Sequence, residues 1–146
     1  MILSRTAVYA VKAVLHLAEA DERPVRVDDI ARALNVPRNY LSKILHALAR
    51  DGVLDSTRGP RGGFALARDA GEILLSDVID PFDEVSSRSG CLLGRAECTD
   101  SNPCAAHARW KDVSSAVRSF FRETTVWDLS MHGSPVPEAA SPHDRP

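Results

Sequence analysis

Two short amphipathic segments separated by a turn of two residues constrain the fold of this chain more than any other feature. Residues 28–34 place apolar side chains at helical spacing, and Asp28–Asp29 can cap the start of that helix. Residues 35–36 form the turn, and a second helix is predicted for 37–51, with Gly52 as its left-handed cap. Two helices so close together are typical of a helix-turn-helix.

A short hairpin is predicted directly after these two helices. Residues 53–57 and 63–66 have the composition of β-strands, and the turn 58–62 between them contains three turn-forming residues and two arginines. A hairpin with a basic tip after a helix-turn-helix is the layout of a winged helix-turn-helix. We therefore predict a mostly α fold with a small β-hairpin wing.

A long helix is predicted near the end of the chain, from about Pro103 to Thr124. Its apolar side chains follow spacings of three and four residues, which places them on one seam. One apolar seam on a long helix of a small protein often forms a dimer interface, and we expect a homodimer. Packing of the seam against the first helix, predicted for 3–20, is the alternative. The seam residues assigned to the dimer interface are Trp110, Val113, Val117 and Phe120.

The chain thus divides into four predicted parts. A short helix over 76–82 closes the first part, and the last part is rich in proline with few apolar side chains to bury. The four parts are a winged helix-turn-helix domain (1–82), a cysteine-rich loop (83–104), a dimerisation helix (105–130) and a disordered tail (131–146).

The charge of the chain is divided unevenly between its two halves. Residues 1–68 carry 11 Lys and Arg against 7 Asp and Glu, whereas residues 69–146 carry 7 against 13. A basic half favours an anionic partner, and nucleic acid is the commonest such partner. An ordinary solvated surface is the alternative on charge alone.

Other function classes are disfavoured. No apolar run approaches the roughly 18 residues of a membrane span, and charged side chains interrupt residues 1–20, where a signal peptide needs an apolar core. We therefore expect a cytoplasmic protein that does not bind membranes. The sequence shows no phosphate loop, paired-carboxylate signature or nucleophile–base pattern, so we do not expect an enzyme.

Polar side chains occupy the face of the predicted second helix that lies opposite its leucines. Arg and Asn can make bidentate contacts with guanine and adenine edges in the major groove, while Lys and Ser suit phosphates. Arginines on a narrow glycine turn can enter a minor groove, where negative potential is concentrated. Solvated helix and turn residues are the alternative. The residues predicted to contact double-stranded DNA are Arg38, Asn39, Ser42, Lys43 and His46 on the helix, and Arg58 and Arg61 on the wing.

The three cysteines of the chain, Cys91, Cys98 and Cys104, lie close together and are followed by His107. Thiolates are soft ligands that select zinc, copper(I) or iron–sulphur clusters. If the long helix begins near Pro103, Cys104 and His107 share one face, and the helix dipole favours the Cys104 thiolate. The pattern leaves open a [2Fe–2S] cluster, a [4Fe–4S] cluster with an outside ligand, a structural zinc, and unligated thiols that could form a reversible disulfide.

These motifs together resemble the Rrf family of bacterial winged-helix regulators, and most of all its branch of iron–sulphur-cluster regulators. The similarity extends over about residues 1–130. The wing and the cysteine triplet together indicate this family more specifically than either motif does alone. The residues that carry it are Leu3-Ser4, Tyr9-Ala10-Val11, Tyr40-Leu41, the wing from Arg58 to Phe64, the three cysteines, and His107-Ala108-Arg109-Trp110.

The resemblance implies a homodimeric regulator that binds a palindromic operator. It would act as a repressor, or as both a repressor and an activator. The resemblance also implies a [2Fe–2S] cluster held by Cys91, Cys98, Cys104 and His107, whose occupancy or oxidation state sets the choice of operator. We therefore predict an iron–sulphur cluster, with [2Fe–2S] ahead of [4Fe–4S] or zinc.

This chain departs from the pattern of that branch at specific positions. Six residues separate its first two cysteines, where the branch has five, and Ser42 stands where the branch has a glutamate. Val8 stands where the nitric-oxide-sensing branch has an aspartate ligand to a [4Fe–4S] cluster. The alternatives are a nitric-oxide or redox sensor with a [4Fe–4S] cluster, a zinc-stabilised regulator, and a small electron-transfer iron–sulphur protein, which would need no wing.

Overall fold

The computed structural model describes residues 3–84, 91–95 and 99–131 of the chain. In this part of the chain, the fold consists of α-helices and one small two-stranded antiparallel sheet. The elements in chain order are α1 (Arg5–Glu19), α2 (Val27–Leu34), α3 (Arg38–Arg50), β1 (Leu54–Thr57), β2 (Gly63–Leu66), a 3₁₀ helix (Ala70–Glu72), α4 (Leu75–Ile79), α5 (His107–Glu123) and α6 (Val126–Met131). The predicted winged helix-turn-helix fold is confirmed.

The turn between α2 and α3 forms where it was predicted. Asn35 ends α2 in the left-handed conformation (φ 52°), and the Val36 N–H donates to the Ala31 carbonyl at 3.0 Å. Gly52 adopts φ +80° after α3, and the Val53 N–H returns to the Leu48 carbonyl at 3.0 Å. A left-handed residue at each helix end satisfies carbonyls that would otherwise lack a partner.

The predicted cap of α2 is wrong. The N-cap residue is Arg26, which makes no side-chain capping hydrogen bond. Asp28 and Asp29 lie inside the first turn, where their charges interact favourably with the positive end of the helix dipole. Asp28 is thereby available for a contact outside its own helix.

The wing is held by a third segment that the sequence did not reveal. In the hairpin, Leu54 pairs with Leu66 and Thr57 with Gly63. On the other side of β2, Val25 exchanges two backbone hydrogen bonds with Phe64, at 2.9 and 2.8 Å. The connection between α1 and α2 therefore fixes the wing against the body of the domain.

Helix α1 lies at the centre of the core. Its buried side chains recur at helical spacing, and it packs against α3, α4 and α6. Burial of apolar surface on several sides of one helix makes the winged domain and the C-terminal helices one packed body. The buried residues of α1 are Ala7, Ala10, Ala13, Val14, Leu15 and Leu17.

The C-terminal helices differ from their predicted bounds. The long helix begins at His107 rather than near Pro103, because residues 104–106 form a turn in which the His107 N–H donates to the Cys104 carbonyl at 3.0 Å. The part 105–130, assigned to dimerisation, contains α5, which ends at Glu123 beside the predicted end at Thr124, and the short α6. They separate where the Leu75 N–H donates to the Thr124 carbonyl at 2.9 Å.

Several predictions fall outside the described residues. These are the disordered tail from residue 132 onward, and residues 85–90 and 96–98 of the cysteine-rich loop, which include Cys98. Within the described ranges, no helix is both long and apolar enough to cross a membrane.

Candidate nucleic-acid interface and metal centre

The predicted DNA-contacting residues of α3 lie on one side of the helix. At about 100° per residue they fall within an arc of about 140°. Ser42 is half-buried, and the others are exposed. The leucines and isoleucine of α3 are buried on the opposite side, as the spacing predicted. We call this set the polar face of α3; it consists of Arg38, Asn39, Ser42, Lys43 and His46.

Two side-chain contacts tie the polar face of α3 to its neighbours. Arg38 donates from Nε to Oδ1 of Asp28 on α2 at 2.5 Å. The His46 ring meets the Phe64 ring of β2 edge to face, with centroids 5.3 Å apart and planes at 70°. Both ends of the face are thus joined to another element of the domain, which limits how far α3 can move relative to α2 and the wing.

The wing presents its arginines at an exposed tip. Arg58 and Arg61 are both exposed, and the Gly62 N–H closes the turn by donating to the Gly59 carbonyl at 2.9 Å. A Cβ at Gly62 would lie 2.2 Å from the Thr57 carbonyl oxygen, so this tip accepts only glycine there. The compact turn keeps the two guanidinium groups on a narrow projection, as a minor-groove contact requires.

A tyrosine pair links α1 to the start of α3. The hydroxyl groups of Tyr40 and Thr6 lie 2.5 Å apart. The Tyr9 and Tyr40 rings meet edge to face at 5.9 Å. Neither contact could be predicted from helical spacing, because the pairs lie on different helices and far apart along the chain.

The candidate metal ligands that the structure describes lie before and at the start of α5. Cys91 and Cys104 are both half-buried, and Cys91 heads a turn in which its carbonyl accepts from the Gly94 N–H at 3.0 Å. Cys104 and His107 belong to one turn, as expected. In the described residues no three His, Cys, Asp or Glu side chains group as a metal site. Cys98 is outside those residues, so the four-residue ligand set stays a prediction.

The later start of α5 changes one expectation for Cys104. This residue precedes the N-cap, Ala106, and does not lie in the first helical turn. The argument that the helix dipole favours its thiolate therefore loses its geometric basis, since the dipole acts mainly within the first turn.

His107 makes a contact that the sequence did not predict. Its ring is buried, and Nε2 lies 2.8 Å from Oδ1 of Asp100. Lys111, one turn further along α5, donates to both carboxylate oxygens of Asp100 at 3.0 Å. The hydrogen bond from His107, followed by that from Lys111, holds the pKa of Asp100 below its usual value. This trio attaches the end of the cysteine-rich loop to α5.

The apolar seam of α5 is divided between the core and the surface. Phe121 is buried against Ala7, Leu75 and Ile79, and Val117 packs against the same cluster. That part of the seam therefore packs within its own chain, as the alternative prediction states.

The rest of the predicted seam faces outward. Val113 is 53% exposed and Phe120 is 51% exposed, while Trp110 is half-buried. Leu92, from the cysteine-rich loop, forms an open groove with Trp110 and Val113, of about 420 Å³. The apolar surface of Leu92, Trp110, Val113 and Phe120 continues from the loop onto α5, and we call it the exposed ridge.

Comparisons with known proteins agree with this architecture. The sequence pattern of the Rrf2 family, described as iron-dependent transcriptional regulators, matches residues 3–132. An HTH-type transcriptional regulator of Aquifex aeolicus is 39% identical over 131 residues, which cover 88% of this chain and 91% of that protein. The HTH-type transcriptional regulator IscR of Xenorhabdus nematophila is 35% identical over 130 residues, which cover 88% of this chain and 79% of that protein.

A solved structure shares the fold. The structure of CymR, the global cysteine regulator of B. subtilis, matches with a TM-score of 0.75 at 24% identity and covers 90% of this chain and 98% of its own. At that identity the likeness concerns the fold alone.

Proposed function

This chain belongs to the Rrf2 family of iron-dependent transcriptional regulators, and we propose that it is a homodimer whose binding to a palindromic operator is controlled by an iron–sulphur cluster. The family confirms the predicted resemblance and the expectation of a regulator rather than an enzyme. The observation that carries the proposal is the exposed polar face of α3 beside the exposed wing arginines. These two elements suit the two grooves of one DNA half-site.

In this proposal α3 enters the major groove with its polar face toward the bases. Asn39 suits an adenine edge, and Lys43 suits a phosphate at the side of the groove. Arg58 and Arg61 reach the neighbouring minor groove, since they lie on the tip of the wing, beyond the ends of β1 and β2. The Phe64 contact with His46 supports the arrangement because it couples the two elements mechanically.

Loss of single cationic side chains from this surface should weaken DNA binding in proportion to the phosphates they neutralise. We expect Lys43→Ala and Arg61→Ala each to lower the affinity for DNA and to reduce the slope of log K against log salt by about 1. The measurement is fluorescence anisotropy between about 50 and 200 mM salt, with a duplex enriched from a randomised library by the wild-type protein.

Arg122→Ala is the matched control, because Arg122 is an exposed arginine on the last turn of α5, away from the polar face. Its salt slope should equal that of the wild type. Unchanged slopes for both Lys43→Ala and Arg61→Ala, or an equal loss for Arg122→Ala, would contradict the proposed surface.

The cluster would be held by Cys91, Cys98, Cys104 and His107. Three thiolates and one imidazole form a donor set that fits a [2Fe–2S] cluster, and a histidine in place of a cysteine raises the potential of such a cluster. When bound, the cluster would supply a centre that responds to iron supply and to oxidants. Half-burial of Cys91 and Cys104 supports this assignment, since it leaves both sulphurs partly screened from water.

The contact with Asp100 restricts how His107 could act as a ligand. With Nε2 at 2.8 Å from the Asp100 carboxylate, a metal bond would use Nδ1, or would require Asp100 to move away from Nε2. In the first case the pair is a carboxylate–histidine arrangement of the kind that orients metal-binding imidazoles. Lys111 then holds the carboxylate in position.

The proposed dimer interface is the exposed ridge of α5. Val113 and Phe120 are both about half exposed and lie two turns apart on one side of α5, so they form one apolar stretch of surface. A second copy of the chain, packed on this ridge, would remove that surface from water and set the distance between the two α3 helices. Of the half-buried residues of the predicted interface, Trp110 belongs to this ridge and Val117 borders it.

The double variant Val113→Asp/Phe120→Asp is expected to be monomeric, because two buried carboxylates in an apolar interface would be strongly unfavourable. Light scattering after size exclusion should give the mass of one chain, 15.9 kDa. Ser115→Asp is the control, since Ser115 is exposed on another side of α5 and should leave the dimer intact. A dimeric double variant, or a monomeric wild type, would overturn this interface.

The cluster and the DNA-binding surface are connected through α5 and α1. The predicted ligands end at His107 on α5, and α5 packs through Phe121 on α1, which carries the contacts to α3. Cluster binding can change operator affinity only by the difference between its affinities for the two arrangements of the dimer.

A further inference from the structure

Arg38 and Asp28 form an ion pair that links the first turns of α2 and α3. The two side chains are 59% and 51% exposed. Exposed pairs of this kind contribute little to stability. The main physical effect of the contact is therefore on the orientation of the Arg38 guanidinium, which otherwise samples many rotamers.

The pair engages the guanidinium through Nε and leaves its two terminal nitrogens without a hydrogen bond to the described residues. Asp28 contacts Nε, on the near side of the group, at 2.5 Å. The two terminal nitrogens, Nη1 and Nη2, form the fork that matches O6 and N7 of guanine. Arg38 is the first residue of α3, and the N-terminal residues of a recognition helix contact base edges.

We propose that Asp28 is a positioning residue that presents Arg38 to a guanine in the major groove, so that the pair sets specificity at one base pair of each half-site. This inference rests on the proposed function, because it requires α3 to lie in the groove. The negative charge of Asp28 weakens binding to any DNA, whereas its contact with Arg38 favours binding to the operator. Its removal should therefore have opposite effects on generic DNA and on the operator.

The test compares four variants of the full-length protein on DNA enriched from a randomised duplex library by the wild type, and on a scrambled duplex. Arg38→Ala should lose about 5- to 100-fold discrimination at one base pair of each half-site. Asp28→Asn should lose part of the discrimination at that same base pair and bind the scrambled duplex more tightly.

Asp29→Asn is the matched control, and Asp28→Glu tests for rescue. Asp29 lies beside Asp28 in the first turn of α2 and pairs with Arg32 on its own helix at 3.6 Å. Its loss removes the same charge, so scrambled DNA should again bind more tightly, with discrimination unchanged. Asp28→Glu should restore discrimination because it keeps a carboxylate for Nε.

The outcomes separate this inference from the proposed function. If the wild type enriches no sequence, the proposed DNA binding itself fails and the inference fails with it. If the wild type enriches a sequence, and Arg38→Ala discriminates at every base pair of that sequence as well as the wild type does, Arg38 does not contact a base. If Arg38→Ala loses discrimination but Asp28→Asn behaves as Asp29→Asn does, Asp28 has no positioning role. Circular dichroism checks that each variant is folded.

Discussion

The protein purified without oxygen is expected to be coloured, and the Cys98→Ala variant is expected to lose that colour while it keeps its fold. Cys98 is one of the four proposed ligands, so its removal should leave the cluster with an open position, and iron and sulphide per chain should fall close to zero. The fold should persist because the core of the described residues consists of apolar side chains and excludes Cys91 and Cys104. Visible absorption, elemental analysis and thermal melting measure the three quantities.

Ser101→Ala is the control for this prediction. Ser101 is an exposed polar residue of the same loop, between the second and third cysteines, and its side chain contacts Thr99. Its cluster content should equal that of the wild type. Full cluster content in Cys98→Ala would contradict the ligand assignment. A colourless wild-type protein that contains zinc and binds its operator unchanged would contradict the iron–sulphur sensor.

The Gly63→Ala substitution is expected to destabilise the protein by about 2–5 kcal/mol and to abolish operator binding. A Cβ at this position would lie 2.2 Å from the Val25 carbonyl oxygen, and the obstructing atoms belong to backbone. The methyl group can be accommodated only if the Val25–Phe64 bridge opens, which loses two hydrogen bonds and displaces a buried phenylalanine. Movement of β2 would also shift the wing and the Phe64 contact with His46.

Gly71→Ala is a matched control for the added methyl group. A Cβ there would meet its nearest neighbour, the Trp127 Cβ, at 4.0 Å, which is ordinary van der Waals contact. Urea unfolding and anisotropy on the enriched duplex measure stability and binding. Equal stability of Gly63→Ala and Gly71→Ala would show that the backbone bridge at Val25 does not hold the wing.

Periodicity was sufficient to predict most of the winged domain. The leucine spacing of α3 and the turn at Asn35 depend on local backbone geometry, and both appear where they were predicted. Gly52 could be assigned because a left-handed cap is a requirement of the helix end alone. The polar face of α3 followed from the same periodicity, since the side opposite a buried stripe must be solvated.

Predictions that depended on an end or a partner of a helix were less accurate. The aspartates assigned to cap α2 lie in its first turn, and the long helix predicted from about Pro103 begins at His107. An apolar seam shows that a helix has something to bury, yet it does not show against what. Phe121 and Val117 pack in the core, whereas Val113 and Phe120 are exposed.

Local order in the chain therefore determined the helix-turn-helix and the basic wing. The tertiary structure decided the rest: that Asp28 holds Arg38, that Val25 anchors the wing, that Asp100 contacts His107, and which half of the α5 seam faces outward. The physical reason is the range of the interactions. Helical spacing and turn conformation depend on neighbours within a few residues, whereas these contacts join segments whose proximity arises only when the apolar core closes.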